Sequence, residues 1–114
     1  MKLLISGSRD IVLSVEELDT IINNIYNVDN ITEIVSGCAK GIDNTGIEWA
    51  LKNKIPIKKF IPDWSVGIAA GHIRNRLMGD YTDEAIVIHN GSNGSNGMIK
   101  YLDKIKKKCV IIKF

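Results

Sequence analysis

The residues best suited to chemistry lie in a stretch rich in glycine, serine and asparagine at positions 90–97. It follows a short apolar run, and apolar residues then return at helical spacing at Met98, Tyr101, Leu102 and Ile105. This pattern predicts a strand, a glycine-rich loop and a helix. Backbone N–H groups in such a loop, and the partial positive charge at a helix start, can bind an anion. The composition is equally typical of a flexible linker or of an Asn-Gly hairpin turn.

Polar and charged residues also follow three other apolar runs. They are Gly7, Ser8 and Arg9 after the first run, Gly37, Lys40, Gly41 and Asp43 after the second, and Pro62, Asp63 and Trp64 after the third. In a parallel sheet the carboxyl ends of the strands meet at one edge, where ligands bind. A linker does not explain why four loops share this character, so the pattern favours a ligand site.

Several of these residues have a structural and a functional interpretation. Gly7 suits both the tight turn after the first strand and the close approach of a ligand. Ser8 is either a turn residue or a hydroxyl donor to phosphate. Arg9 directly follows a buried strand, which favours a phosphate or carboxylate partner over a solvated charge. For Asp43 the preferred role is N-cap of the second helix, with a bond to a ribose hydroxyl as the alternative.

The remaining candidate residues also have alternative roles. Lys40 is expected to be solvated, and Gly41 to permit close backbone approach. Packing is the first interpretation of Trp64, and stacking on a base is the second. Arg74 and Arg76 are two positions apart, so on a helix only one of them can easily face the site. The backbone cradle for an anion is predicted at Gly91, Ser92, Gly94 and Ser95, and Ser95 also suits the N-cap of the last helix.

The elements that position these residues alternate between strands and helices. Strands are predicted at residues 2–6, 32–36, 57–61, 85–88 and 109–113. Helices are predicted from the Ser14/Glu17 capping box to Ile25, over about 44–54, over 69–78 with Ile73 and Leu77 facing inward, and after the 90–97 loop. This alternation indicates an α/β, Rossmann-like, three-layer, doubly wound parallel sheet of five strands.

Length and composition exclude several classes of protein. A chain of 114 residues with net charge +2 is expected to form one domain and to lack the basic surface of a nucleic-acid-binding protein. No apolar run approaches the about 20 residues of a membrane span. Cys38 and Cys109 are expected to be reduced in a cytoplasmic protein, and the spacing of His72 and His89 predicts no metal site. No cofactor is predicted.

Three common nucleotide and hydrolase signatures are absent. The first turn lacks the GxGxxG of dinucleotide-binding domains, the chain has no GKS or GKT of a P-loop, and no nucleophile elbow is present.

The motifs in combination resemble the SLOG superfamily, and within it the small YspA/YpsA-related branch. They are Ser6-Gly-Ser-Arg9, Ser36-Gly-Cys-Ala-Lys-Gly-Ile-Asp43, Pro62-Asp-Trp64, Ala70-Gly-His-Ile-Arg-Asn-Arg76 and Gly94-Ser95 after an apolar strand. The resemblance covers nearly the whole chain. It implies a single SLOG-like domain over residues 1–114, a sheet of order 3-2-1-4-5, and a site for nucleotide-derived ligands that includes Asn75. It also implies bacterial or phage occurrence, and a homo-oligomer is left open because relatives often pair through helices.

The chain departs from the related LOG phosphoribohydrolases at one position. Their PGGxGTxxE loop ends in a glutamate that works with an arginine in glycosidic cleavage, and here Met98 or Ile99 occupies that position. Arg74 or Arg76 matches the arginine, and Asp43 or Asp63 could replace the carboxylate. We therefore predict binding of a nucleotide-derived small molecule, with the nucleotide N-glycosidase as the alternative. Single-stranded DNA binding, by analogy with a DNA-uptake relative, is a weaker one.

Overall fold

The computed structural model describes every residue from Met1 to Phe114. Its strands are β1 (Lys2–Gly7), β2 (Glu33–Ser36), β3 (Ile57–Lys59), β4 (Glu84–His89) and β5 (Cys109–Lys113), and its helices are α1 (Val15–Ile25), α2 (Ile42–Lys52), α3 (Ala70–Tyr81) and α4 (Asn93–Lys104). All strand pairs are parallel, and the order is β3-β2-β1-β4-β5. The predicted fold class and strand order are confirmed. None of the helices is long and apolar enough to cross a bilayer.

Alternate residues of the central strands build two cores on opposite faces of the sheet. Leu3, Ile5 and Ile34 belong to the larger core, which α1 and α2 complete with side chains such as Leu18 and Trp49. The residues between them face the other way and form the smaller core. Its buried members are Leu4, Val35, Ala85 and Val87 from the strands with Met78, Met98 and Leu102 from α3 and α4. This alternation is the period of two that a strand imposes, and it produces the three layers.

Local signals correctly predicted the first helix, and the structure adds how it is attached to α2. Ser14 Oγ accepts a hydrogen bond from Glu17 N at 3.1 Å, and the Glu17 carboxylate accepts one from Ser14 N at 3.2 Å. The predicted capping box is therefore confirmed, and it satisfies two N–H groups at the start of α1. Trp49 Nε1 donates to Asp19 Oδ1 at 2.9 Å and so joins α2 to α1.

The predicted orientation of α3 is wrong. Ile73 and Leu77 were expected to face inward, but their side chains are 47% and 52% exposed. The face that packs on the sheet instead contains Ala70 and Met78, both buried. Met78 lies in the smaller core, and its burial fixes the rotation of the helix. As a result Arg74, which is one turn before Met78 on the same stripe, is carried toward the sheet and becomes half-buried.

Gly7 brings β1, β4 and α2 together more closely than any side chain would permit. A Cβ atom at this position would overlap the carbonyl oxygen of Ile88 and would lie 2.7 Å from Ile42 Cβ. Gly7 and Ile88 are partners in the β1–β4 register. The glycine therefore permits the closest strand and helix contact in this part of the sheet.

Replacing Gly7 by alanine is expected to destabilise the protein by about 2 kcal/mol or more, since the added methyl group meets backbone rather than an adjustable side chain. The matched control is Gly97→Ala within α4, where a Cβ meets nothing within 4 Å. That change is expected to stabilise the fold by about 0.5–1 kcal/mol through helix propensity. Urea denaturation of both variants measures the difference. Equal stability of the two would show that Gly7 has no packing role.

Candidate functional site

A polar cleft of about 680 Å³ opens at the carboxyl ends of β1, β2 and β4. Three of the four predicted loops, those after β1, β2 and β4, contribute to its walls together with α3, whereas the predicted loop at Pro62, Asp63 and Trp64 after β3 does not. The lining residues are Ser6, Gly7, Arg9, Asp10, Ala39, Asp43, Arg74, Asn75, Asn90, Gly91, Ser92, Gly94 and Ser95. The cleft lies where the strand order reverses between β1 and β4, which is where doubly wound sheets bind ligands.

Ser8 joins the two loops that flank this reversal. Its backbone N–H donates to Ile88 O at 3.0 Å, and its hydroxyl accepts from Asn90 N at 3.1 Å. The same Oγ atom lies 3.0 Å from Ser92 Oγ, which donates to Ser95 Oγ at 3.0 Å. Ser8 is buried beneath the cleft, and this hydroxyl chain runs from it to Ser92 and Ser95 in the cleft wall, so it fixes the position of the α4 start.

The glycine-rich stretch is shorter as a loop than predicted. Helix α4 begins at Asn93 rather than near Met98, so the linker and hairpin alternatives are wrong. The predicted N-cap, Ser95, is also wrong, because Ser92 holds that position. Burial of Met98 and Leu102 stabilises the helix, and the connection after β4 is only three residues long, so tertiary packing overrides the poor helix propensity of glycine and asparagine.

The start of α4 leaves its backbone donors free. Ser92 makes no side-chain capping bond, since its hydroxyl is engaged with Ser8 and Ser95. The N–H groups of the first three helical residues have no intrahelical acceptor, as at every helix start. These donors lie beside the cleft at Gly94 and Ser95 and add the partial positive charge of the helix dipole. These N–H groups are therefore free to donate to an anion in the cleft.

Helix α2 starts two residues earlier than expected, and this moves Asp43 into the helix. The N-cap is Gly41, whose φ of 74° and ψ of −127° favour glycine, and Ile42 is buried as the first helical residue. The predicted capping role of Asp43 is therefore wrong. A Cβ at Gly41 would approach the carbonyl oxygens of Ser8 and Arg9 to 2.7 Å, so this turn packs against the loop after β1.

Asp43 lines the cleft as a buried carboxylate with one unsatisfied oxygen. Its Oδ2 accepts a hydrogen bond from Ala39 N at 3.3 Å, while Oδ1 has no partner, and the residue is only 3% exposed. Burial raises the pKa of this carboxyl, and the Ala39 N–H, the Arg74 charge, the nearby Gly7 N–H and the Arg9 charge offset part of the effect. Buried polar atoms without partners are rare in folded proteins, so this oxygen is a functional candidate.

Arg74 reaches the same region from α3. Its Nη1 donates to Gly37 O at 2.8 Å, and its Nε donates to Asn75 Oδ1 at 3.1 Å. A Cβ atom at Gly37 would lie 2.7 Å from Arg74 Nη1 and 3.0 Å from Asp43 Oδ2, so the guanidinium and the carboxylate meet above this glycine. Their separation exceeds the 4.0 Å of an ion pair, and burial lowers the pKa of Arg74.

Four cleft residues were not among the predicted ligands: Ser6, Asp10, Ala39 and Asn90. Asn90 Nδ2 donates to Asp10 Oδ1 at 2.8 Å, so these two side chains close the cleft at the exposed end, near Arg9. Each of the four lies next to, or inside, a motif that the sequence singles out. Their position next to those motifs in the sequence is the observation from which they could have been predicted.

Other predicted ligands lie outside the cleft wall. Lys40 is exposed, and Arg76 lines a separate groove, so of the two α3 arginines it is Arg74 that faces the cleft. Trp64 is 57% exposed in a short 3-10 turn (Trp64–Val66), contrary to the first expectation of packing.

Asp63 accepts hydrogen bonds from the backbone and hydroxyl of Ser65, and this interaction holds it in the turn before α3. Gly37, Gly41 and Ser8 support the cleft from behind.

The sequence profile of the YspA, cpYpsA-related SLOG family (YAcAr) matches residues 1–67. The chain belongs to this family. No curated protein and no solved structure matches the chain. The matched part runs from β1 to the turn at Trp64 and includes Arg9 and Asp43, whereas Arg74 and the start of α4 follow it. For this SLOG chain, membership indicates a function related to nucleotide ligands or to LOG-like chemistry. No group of three or more His, Cys, Asp or Glu side chains could hold a metal ion.

Asp43→Asn is expected to stabilise the ligand-free SLOG domain at neutral pH. Because the folded pKa of Asp43 is raised, the folded state loses stability as the pH rises from the ordinary aspartate pKa of about 3.9 to the raised folded value, and the loss is constant above it. The variant lacks this loss. Urea denaturation between about pH 4 and pH 8 should show its advantage growing with pH. An advantage that does not change over this range would contradict the buried ionisable state.

Proposed function

We propose that the protein binds a nucleotide or nucleotide-derived small molecule in the cleft and acts as a sensor or sequestering module. The observation that carries the proposal is the pairing of two unsatisfied features in one cleft. One is the Asp43 oxygen without a partner, and the other is the uncapped start of α4. A phosphate ester of a ribose carries the complementary groups, an anion and hydroxyl donors, a few ångströms apart.

The phosphate is assigned to the start of α4. The N–H groups of Gly94 and Ser95 would donate to its oxygens, and the helix dipole would favour its charge. Arg74 has its Nη2 free of hydrogen bonds within the chain, and Arg9 lies at the exposed side of the same cleft. A guanidinium group binds phosphate oxygens with directed hydrogen bonds.

The ribose is assigned to Asp43. A hydroxyl that donates to Oδ1 would satisfy the unpartnered oxygen and would offset the cost of its burial. Dinucleotide-binding domains use an acidic residue on ribose hydroxyls in a similar way. The buried carboxylate therefore lowers the stability of the free protein and is compensated in the complex.

A second function, nucleotide N-glycosidase, is favoured by the proximity of Asp43 to Arg74 above Gly37. A carboxyl with a raised pKa can protonate a departing base, while water attacks the anomeric carbon. Asp43 would then replace the glutamate that LOG enzymes carry after their glycine-rich loop. Asp63 is not available for this role, because Ser65 engages it in the turn before α3.

Gly94→Asp is expected to abolish nucleotide binding and leave the fold intact. A side chain at Gly94 meets nothing within 4 Å, and an aspartate in the first turn of a helix is favourable to the helix, but its charge would repel a phosphate. Thermal shift and calorimetric titration with nucleoside monophosphates and ribose 5-phosphate measure the effect. We expect affinity to fall at least about tenfold with unchanged or higher melting temperature.

Gly94→Ala is the matched control, since it adds a side chain at the same place without a charge. Its affinity is expected to stay within about threefold of the wild type. Equal loss in the alanine and aspartate variants would indicate a steric effect and would contradict the phosphate assignment. Absence of any shift with every nucleotide would refute the proposed function.

Release of free base from nucleoside monophosphates, followed by chromatography, separates binding from hydrolysis. If the protein is a glycosidase, Asp43→Asn should lower the rate of release at least about a hundredfold, because asparagine cannot donate the proton that the leaving base needs. Wild-type protein that binds nucleotide and leaves it intact over long incubation would remove the hydrolase alternative and retain the binding function.

A further inference from the structure

A groove of about 280 Å³ runs between α3 and α4 beside the cleft. Arg76 of α3 and Lys100 and Lys104 of α4 line it. Asn75 lines both this groove and the cleft, so the two are adjacent along the α3 helix. A ligand held at the start of α4 would therefore lie at the mouth of a cationic groove.

No cation of this groove forms an ion pair within the chain. The ion pairs of the structure are Lys52 with Glu16 and Lys108 with Glu84, and neither involves a groove side chain. The nearby acids are Asp80 of α3, whose Oδ1 accepts a hydrogen bond from Tyr101 at 2.6 Å, and Asp103 of α4, and neither lies within ion-pair distance of a groove cation. Elsewhere on the same surface, Lys107 donates to three backbone carbonyls, which shows how a structural lysine is held here.

The groove lysines make no such bonds, and their arrangement opposes folding. Lys100 and Lys104 are four residues apart on α4, a spacing at which like charges destabilise a helix. Arg76 adds a third positive charge from the facing helix. An anion bound between them would relieve this repulsion, whereas the free protein gains nothing from it. This combination is typical of a binding surface.

Helix geometry places the groove within reach of a ligand in the cleft. Lys100 follows Gly94 by six residues, which corresponds to about 9 Å along the helix axis. Side chains on a helix lean toward its N-terminus, so the Lys100 ammonium is directed back toward the cleft. The backward lean of Lys100 shortens the axial part of the distance between its ammonium and an anion at the helix start.

We propose that the groove is a second phosphate subsite, and that the ligand is a nucleotide-derived molecule with two phosphate groups separated by a nucleoside. A linear 5′-phosphorylated dinucleotide has this chemistry. The inference rests on the proposed function, since the first phosphate is the one assigned to the start of α4. The cationic surface is limited to three side chains and the net charge is +2, so the groove suits a small molecule better than a nucleic-acid strand.

The test compares adenosine monophosphate with the dinucleotide pApA by calorimetric titration of the full chain. Wild-type protein should bind pApA at least about tenfold more tightly than the monophosphate, and this advantage should shrink as salt is added. A variant with Lys100→Gln and Lys104→Gln should lose the advantage and keep its affinity for the monophosphate within about twofold. Both lysines are exposed, so the fold should persist, with an equal or higher melting temperature.

The matched control carries Lys52→Gln and Lys54→Gln at the end of α2. It removes the same charge outside the groove, so it should retain the pApA advantage. Three results would overturn the proposal. They are equal affinity of wild-type protein for the two ligands, equal loss of both affinities in the groove variant, and a control that loses the pApA advantage as the groove variant does.

Two further outcomes would also overturn the second subsite. If neither ligand binds, the proposed function itself is wrong, and the second subsite is refuted with it. If an adenylate oligonucleotide binds about a hundredfold more tightly than pApA, the groove belongs to a nucleic-acid surface and the small-molecule assignment is wrong.

Discussion

The site depends on the close contact between the ends of β1 and β4, where Gly7 leaves no space for a side chain beside Ile88. This contact lets the Ser8 hydroxyl accept from Asn90 N and meet Ser92, so the first and fourth loops form one hydrogen-bonded unit. The start of α4 is thereby held against the loop that precedes α1. Cleft geometry is therefore set by backbone approach and buried hydroxyls, and the exposed side chains only complete it.

The rest of the cleft is built on charges that the free protein does not satisfy. Asp43 keeps an unpartnered oxygen in a buried position, and Arg74 stays close without forming an ion pair with it. A stable protein without a ligand would be expected to pair these groups or to replace them with apolar residues. Gly37 leaves room for both groups, because both side chains approach the space that a Cβ would fill. The arrangement is understandable if a polar ligand takes the remaining hydrogen bonds.

The sequence predicted elements whose signals are local, and it failed where tertiary contacts decide. Apolar β-branched runs and the Ser14 capping box were sufficient for the strands and α1. The starts of α2 and α4 were misplaced, since a positive φ at Gly41 and the packing of Met98 are not visible in a local pattern. The face of α3 was wrong for a similar reason. Its apolar residues were assumed to point inward, whereas packing of Ala70 and Met78 against the sheet turns Ile73 and Leu77 outward. The motifs predicted most of the cleft residues, because they depend on the residue types in the loops and not on where the helices begin.

The position of α4 also bears on whether the cleft cuts or holds its ligand. Met98 is buried in the smaller core and Ile99 packs against it, so neither side chain at the expected glutamate position lies in the cleft wall. Of α4, only the first turn contributes residues to the cleft wall. The carboxylates that do line the cleft are Asp10, which is bonded to Asn90, and Asp43, which is buried beside Arg74. A glycosidase would have to use Asp43 both to hold the ribose and to protonate the base. Oδ2 already accepts from Ala39 N, so Oδ1 alone would have to meet both demands, and this conflict favours binding over cleavage.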